Sequence, residues 1–295
     1  MAFTSERLTL WRTPARALSG RSGRKRFLFE FASVLFSVLS FPRLKSNYWN
    51  IRDWATVSHK PWSFEAAARL AVHIVLTLLF GMLLASVIDQ AKFVRLSESG
   101  RDFAQLVVMT VFFQCSILFW VSRFLRDHGL TWRQTFFAGQ PRRAAAIGAV
   151  AAVVTTPALM WILALLNDIA SHLHLNPQAQ ELVQTLASHS TPVGTRVFVG
   201  VTSIALAPIA EETVFRGIMY PTLKQLGYPR LALWSTSLLF AASHFNLIAF
   251  LPLAILSIVL IWLYEATDNL AAPILTHCLF NTVNFILIVA THSTA

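Results

Sequence analysis

Glu211 and Glu212 stand side by side, and Arg216 follows the second of them by four residues. Directly upstream lies Val197 to Ile209, a run that carries no charge at all. Each charged side chain inside a membrane helix costs about 2.5–3.5 kcal/mol on insertion scales, so three together persist only where they pair, face protein or do chemistry. Glu212 and Arg216 share one helix face and can form a salt pair. Glu211 is rotated roughly 100° away around the helix, so the same arginine is less suited to hold it. One carboxylate therefore reads as structural and the other as free to act. A satisfied ion network that fixes helix packing is the competing reading of this motif taken alone.

Two further polar pairs occur downstream, Phe240 with His244 and His277 with Asn281, each four residues apart on a common helix face. A lone histidine in a membrane helix is more often a helix–helix hydrogen bonder than a catalyst. Depth argues for more. Glu211 precedes Lys224 by 13 residues and His244 follows Arg230 by 14, which places both roughly 20 Å from the same basic ends of their helices. His277 and Asn281 follow Asn269 by 8 and 12 residues, at roughly 12–18 Å. Four polar groups from three helices thus reach a similar layer.

The elements that must carry them are membrane helices. The 295-residue chain is 55% hydrophobic and 13% charged, the profile of an all-α, polytopic integral membrane helical bundle. Clear apolar spans cover 66–88, 103–122 and 144–166. The motif helix is expected from about Val197 to Leu226, where Gly227 and Pro229 end it. Spans over 231–246, 247–264 and 271–290 follow, giving about seven to eight transmembrane helices. The run Phe27 to Phe41 has 15 residues and contains Glu30, too short to span, so it is expected to be an interfacial or re-entrant helix.

Lys and Arg test the orientation. Segments 1–69, 123–143 and 216–230 hold 20 of the 24, and segments 89–102 and 167–196 hold the other 4. The positive-inside rule then puts the N-terminus in the cytoplasm, in a cell membrane. The net charge of +10 accordingly reports topology and lipid contact. No basic-aromatic module, zinc-finger spacing or phosphate loop is present, so nucleic acid is not an expected partner. His172, His174 and His189 match no standard metal spacing and read as solvated loop residues. Cys115 and Cys278 read as small buried hydrophobes. The organisation expected is a basic arm with an interfacial helix over 1–65, variable membrane helices over 66–196, and a polar-layer core over 197–290.

Glu211-Glu212-Thr213-Val214-Phe215-Arg216-Gly217, then Phe240-x-x-x-His244, then His277-x-x-x-Asn281 preceded by Asn269-Leu270-Ala271-Ala272-Pro273-Ile274, follow the order and spacing of a known group. Over about residues 197–290 the chain resembles the CPBP family, the CAAX-protease and bacteriocin-processing (Abi) intramembrane endopeptidases. The resemblance implies Glu211 as the key carboxylate of a peptidase with no obligatory cofactor, acting on protein or peptide substrates that in eukaryotic relatives are prenylated CAAX proteins. Amide hydrolysis needs an activated water, donors for the oxyanion and an acid for the leaving amine. A carboxylate in apolar surroundings is suited to alternate between base and acid. The assignment expected is that Glu211 and His244 hold and deprotonate the water, while His277 and Asn281 stabilise the oxyanion. Glu212, Arg216 and Phe240 support them. Zinc held by Glu211, His244 and His277 is the runner-up, although His-Glu-x-x-His is absent. A proton-coupled transporter lacks the paired broken helices expected of inverted repeats, and a catalytically silent scaffold or bacteriocin self-immunity protein is the remaining alternative.

Overall fold

The structure, a computed structural model, describes residues 57–90, 98–173 and 191–293. Residues 1–56 of the expected basic arm, with the expected interfacial helix 27–41, and His174 and His189 lie outside the described residues. Eight helices are described. α1 is Phe64–Gln90. α2 runs Glu98–Thr110, passes through a π-helical stretch Val111–Cys115, and continues as Ser116–Asp127. α3 is the short Trp132–Phe136, and α4 is Pro141–His172. α5 is composite: Val193–Val201, π-helical Thr202–Leu206, Ala207–Glu212, π-helical Thr213–Met219 and Tyr220–Gln225. α6 is Pro229–Ala242, α7 Leu247–Thr267 and α8 Ala271–Ser293.

Helices dominate because a chain without water must satisfy its own backbone. Six of them (α1, α2, α4, α5, α7 and α8) are long and apolar enough to cross a bilayer. The protein is a polytopic helical membrane bundle, as its composition predicts. α6 differs from the expected span over 231–246. It has 14 residues, about 21 Å, and stops at Ala242. The backbone then leaves the helix, and Phe245 adopts φ 49°, a left-handed conformation that a bulky side chain rarely takes. Asn246 starts α7 by accepting the Ala249 N–H at 2.9 Å. At the other end of the same hairpin, Asp268 at φ 46° terminates α7.

The cysteines depart from expectation. Cys115 is exposed and Cys278 only half-buried, and both are free thiols. The apolar surface of a membrane bundle faces lipid as often as protein, so an apolar run does not by itself bury its cysteine. His172 is exposed at the end of α4, with Nδ1 2.7 Å from the Asp168 carbonyl oxygen.

One end of the bundle is fastened by polar contacts. Trp62 donates to Thr222 Oγ1 at 2.9 Å and stacks edge-on against Phe124 at 5.3 Å, which ties the ends of α2 and α5. Buried Lys60 donates to the Thr135 carbonyl at 3.1 Å and lies 4.0 Å from Asp268. Burial pulls the Lys60 pKa below the usual lysine value, and the Asp268 charge partly opposes that. Leu270 N–H donates to Phe136 O at 2.8 Å, and the Asn269 amide to Ala138 O at 2.6 Å, so α3 and the α7–α8 turn share this end.

α4 and α8 pack closely along their lengths. Thr276 donates across their interface to Gly148 O at 2.8 Å, and a Cβ on Gly148 would fall 2.3 Å from Ala272 O. Small residues permit such backbone approach in membranes. Gly148→Val should force the two helices apart and cost about 1–3 kcal/mol, read as a lower unfolding temperature in detergent. An unchanged unfolding temperature would show that the crossing yields.

Candidate active site

α5 brings its charges to the middle of the bundle with an altered helical register. Two π-helical stretches flank Ala207–Glu212, the segment that carries Glu211. π-turns inside helices frequently mark functional sites. The first leaves one carbonyl without a backbone donor. In that register the Ala207 N–H bonds Thr202 O, and the next acceptor, Ser203 O, would require an N–H from residue 208. Pro208 has none. The Asn281 side-chain amide of α8 supplies it instead, donating to Ser203 O at 2.8 Å.

Glu212 and Arg216 pair as their spacing predicts. The Arg216 guanidinium lies 2.8 Å from Glu212 Oε1, and both side chains have no exposure. Arg216 also donates to Ser257 Oγ at 2.7 Å and to Ser257 O at 3.3 Å, and it stacks over the Phe240 ring at 4.4 Å. Phe240 is fully buried and organises the aromatic surroundings. Its ring meets Phe215 at 5.4 Å, His244 at 4.9 Å and His277 at 5.6 Å.

The two histidines have their Nδ1 atoms held by their neighbours. His244 Nδ1 is 2.8 Å from the Phe240 carbonyl oxygen, and His277 Nδ1 is 2.9 Å from Glu212 Oε1. Both partners only accept, so each Nδ1 carries a hydrogen, and each Nε2 is turned toward Glu211. Glu211 Oε2 lies 3.9 Å from His244 Nε2 and 3.9 Å from His277 Nε2. That oxygen is itself buried and takes no hydrogen bond from any described residue. The Glu211 side chain is 27% exposed and that of His244 25%, whereas His277 is at 2%. The site is thus open on the Glu211–His244 side and closed behind His277.

The structure therefore joins Glu211, His244 and His277 directly, and joins Glu212 and Arg216 to them through His277 and Phe240. Asn281 lies one turn beyond His277 on α8 and engages Ser203. Sequence reasoning missed Ser257, although it is the lone polar residue in the apolar stretch Leu253–Leu263 of α7. It also missed the Ser203 carbonyl, which Pro208 signals.

Three ligands at zinc distances of 2.0–2.2 Å in tetrahedral geometry would stand roughly 3.3 Å apart. The 3.9 Å separations here are wider, and no group of three His, Cys, Asp or Glu among the described residues is disposed to hold a metal ion.

Residues 193–283 match the family model for Rce1-like proteins, described as type II CAAX prenyl endopeptidases. The match begins with α5, contains Glu211, Glu212, Arg216, Phe240, His244, His277 and Asn281, and ends within α8. A stretch of 85 residues is 36% identical to the UPF0177 protein YaiF of Lactococcus lactis subsp. lactis (strain IL1403), covering 28% of this chain and 36% of that protein. The chain thus spans about a third of the length of this curated relative. No solved structure matches the chain. The segment that builds this site, residues 193–283, is thus similar to the Rce1-like type II CAAX prenyl endopeptidases.

Proposed function

We propose that the protein is an intramembrane endopeptidase that hydrolyses peptide bonds of membrane-associated, CAAX-like protein or peptide substrates. The observation that carries the reading is the Glu211 carboxylate, whose unpaired Oε2 stands 3.9 Å from the Nε2 atoms of two histidines whose Nδ1–H groups are held by fixed acceptors. That spacing is too long for direct hydrogen bonds and suits one water held about 2.8 Å from each.

The water gives a proton to Glu211 as its oxygen attacks the scissile carbonyl carbon, with His244 Nε2 orienting it. The tetrahedral oxyanion accepts hydrogen bonds from the second amide hydrogen of Asn281 and from His277, which carries hydrogens on both ring nitrogens from the outset, Nδ1–H held by the Glu212 carboxylate and Nε2–H facing the oxyanion. Glu211 then passes its proton to the departing nitrogen. The C–N bond breaks, leaving an amine and a carboxylic acid, which releases its remaining proton to solvent as it ionises. Arg216 balances the charge of Glu212 throughout. The positive-inside distribution of Lys and Arg supports an N-terminus in the cytoplasm of a cell membrane and substrate approach from that side.

The wide donor spacing favours water over zinc as the ligand of this site. Detergent-purified protein should therefore cleave a quenched-fluorescent farnesylated CAAX peptide at the same rate with and without a strong chelator. Activity lost to the chelator and restored by zinc would move Glu211, His244 and His277 to a metal centre.

A further inference from the structure

The polar layer has a further member on α2, outside the segment that matches the family. Gln114 precedes Asp127 by 13 residues, roughly 20 Å up its helix, the depth that Glu211 has above Lys224. Trp62 touches Phe124 and Thr222 together, so the two heights are measured from one level. Gln114 sits in the π-helical stretch Val111–Cys115, which packs directly against Ala207–Glu212.

The direction of its side chain follows from its neighbours. Phe112 faces α1, with its ring 5.6 Å from Phe80 and its Cβ against Gly81. Two residues on is roughly half a helical turn, so Gln114 faces away from α1. Phe103, three turns earlier, stacks on Phe198 of α5 at 5.5 Å, and Gln114 shares that face. Gln114 Oε1 is buried and takes no hydrogen bond from any described residue. Buried polar atoms left without a partner are few in folded proteins, and each asks for a reason.

We propose that Gln114 is a substrate-binding residue that pairs with the main chain of an extended peptide lying beside Glu211. This rests on the endopeptidase reading. A peptide opened for hydrolysis cannot be helical at the scissile bond, so its N–H and C=O groups need partners in a layer without water. A primary amide offers both an acceptor and donors, the complement of a peptide unit. Oε1 accepts a substrate N–H, and the NH₂ group is available to a substrate carbonyl.

The test uses the quenched-fluorescent farnesylated CAAX peptide and analogues in which one N–H at a time, outside the scissile bond, is replaced by an ester oxygen. Gln114→Met keeps the length of the side chain and removes its hydrogen bonding. It should raise KM about 3–10-fold with kcat within twofold. One ester analogue should lose the same 3–10-fold on the native protein and nothing more on Gln114→Met. A purely structural glutamine would show no such coupling.

Unchanged kinetics in Gln114→Met, or losses that multiply at every ester position, overturn the proposal. Fluorescence anisotropy of the same peptides on Glu211→Gln and Glu211→Gln/Gln114→Met reads the contact without turnover. Equal affinity there also overturns it. A folded native protein that cleaves none of these peptides would instead overturn the endopeptidase reading, so the two failures are separable.

Discussion

Glu211→Gln should reduce cleavage of the farnesylated CAAX peptide by roughly 10²–10⁴-fold, the span that general acid–base groups contribute. The unfolding temperature should stay within a few degrees of the native protein. Both halves follow from the same geometry. Glutamine keeps the size and the hydrogen bonding of the side chain but cannot take a proton from water. The fold leans little on the carboxylate, because its Oε2 takes no hydrogen bond from any described residue and its side chain is 27% exposed. Glu211→Asp is the sharper companion. It retains the acid and withdraws it by about one bond length, and misplacement of about 1 Å costs on the order of 10²-fold. A base that must touch the water therefore predicts that aspartate fails nearly as badly as glutamine. Full activity in Glu211→Gln would remove this carboxylate from the chemistry and assign the cleavage to another group.

Much of the site was legible because membrane burial makes polar residues conspicuous. Glu212 and Arg216 announce their pair by a four-residue spacing in an apolar run, and the structure finds it at 2.8 Å. The depth argument for Glu211, His244 and His277 held because helical rise is nearly constant. What stayed hidden depends on rotation and on backbone register, neither of which residue counting carries. Asn281 was read as the partner of His277, and its amide also mends the gap that Pro208 leaves at Ser203. Ser257 was a solitary polar residue with no periodic companion, so nothing tied it to Arg216 before the helices were assembled. α6 ends at Ala242 because the chain must turn through Phe245 to reach Asn246, and a run over 231–246 with no glycine, proline or charged residue concealed that break. Gln114 was invisible for a similar reason. Its π-turn and its packing against α5 are properties of the fold, and one glutamine in an apolar span has no spacing to betray it.

Arg216→Met should lower stability by about 3–5 kcal/mol, a loss in unfolding temperature of roughly 10 °C or more, because it strands the Glu212 charge in a site with no solvent access. Ser257 cannot replace the arginine, since its hydroxyl offers one donor and no charge. Glu212→Gln should cost less. A glutamine oxygen can still accept from His277 Nδ1, and Arg216 retains Ser257 and the face of Phe240. The double variant Glu212→Gln/Arg216→Met removes both charges together, and buried pairs replaced by neutral groups are often as stable as the original. It should recover most of the unfolding temperature lost by Arg216→Met. Activity should not recover with it, because His277 then lacks the anion that stabilises its protonated form when the oxyanion develops. Stability and catalysis would thereby be separated on the same two residues. Single-variant unfolding temperatures within 2 °C of native would mean that the pair contributes nothing to folding. A double variant that cleaves at the native rate would mean that His277 works without its carboxylate, and Glu212 would return to a packing role alone.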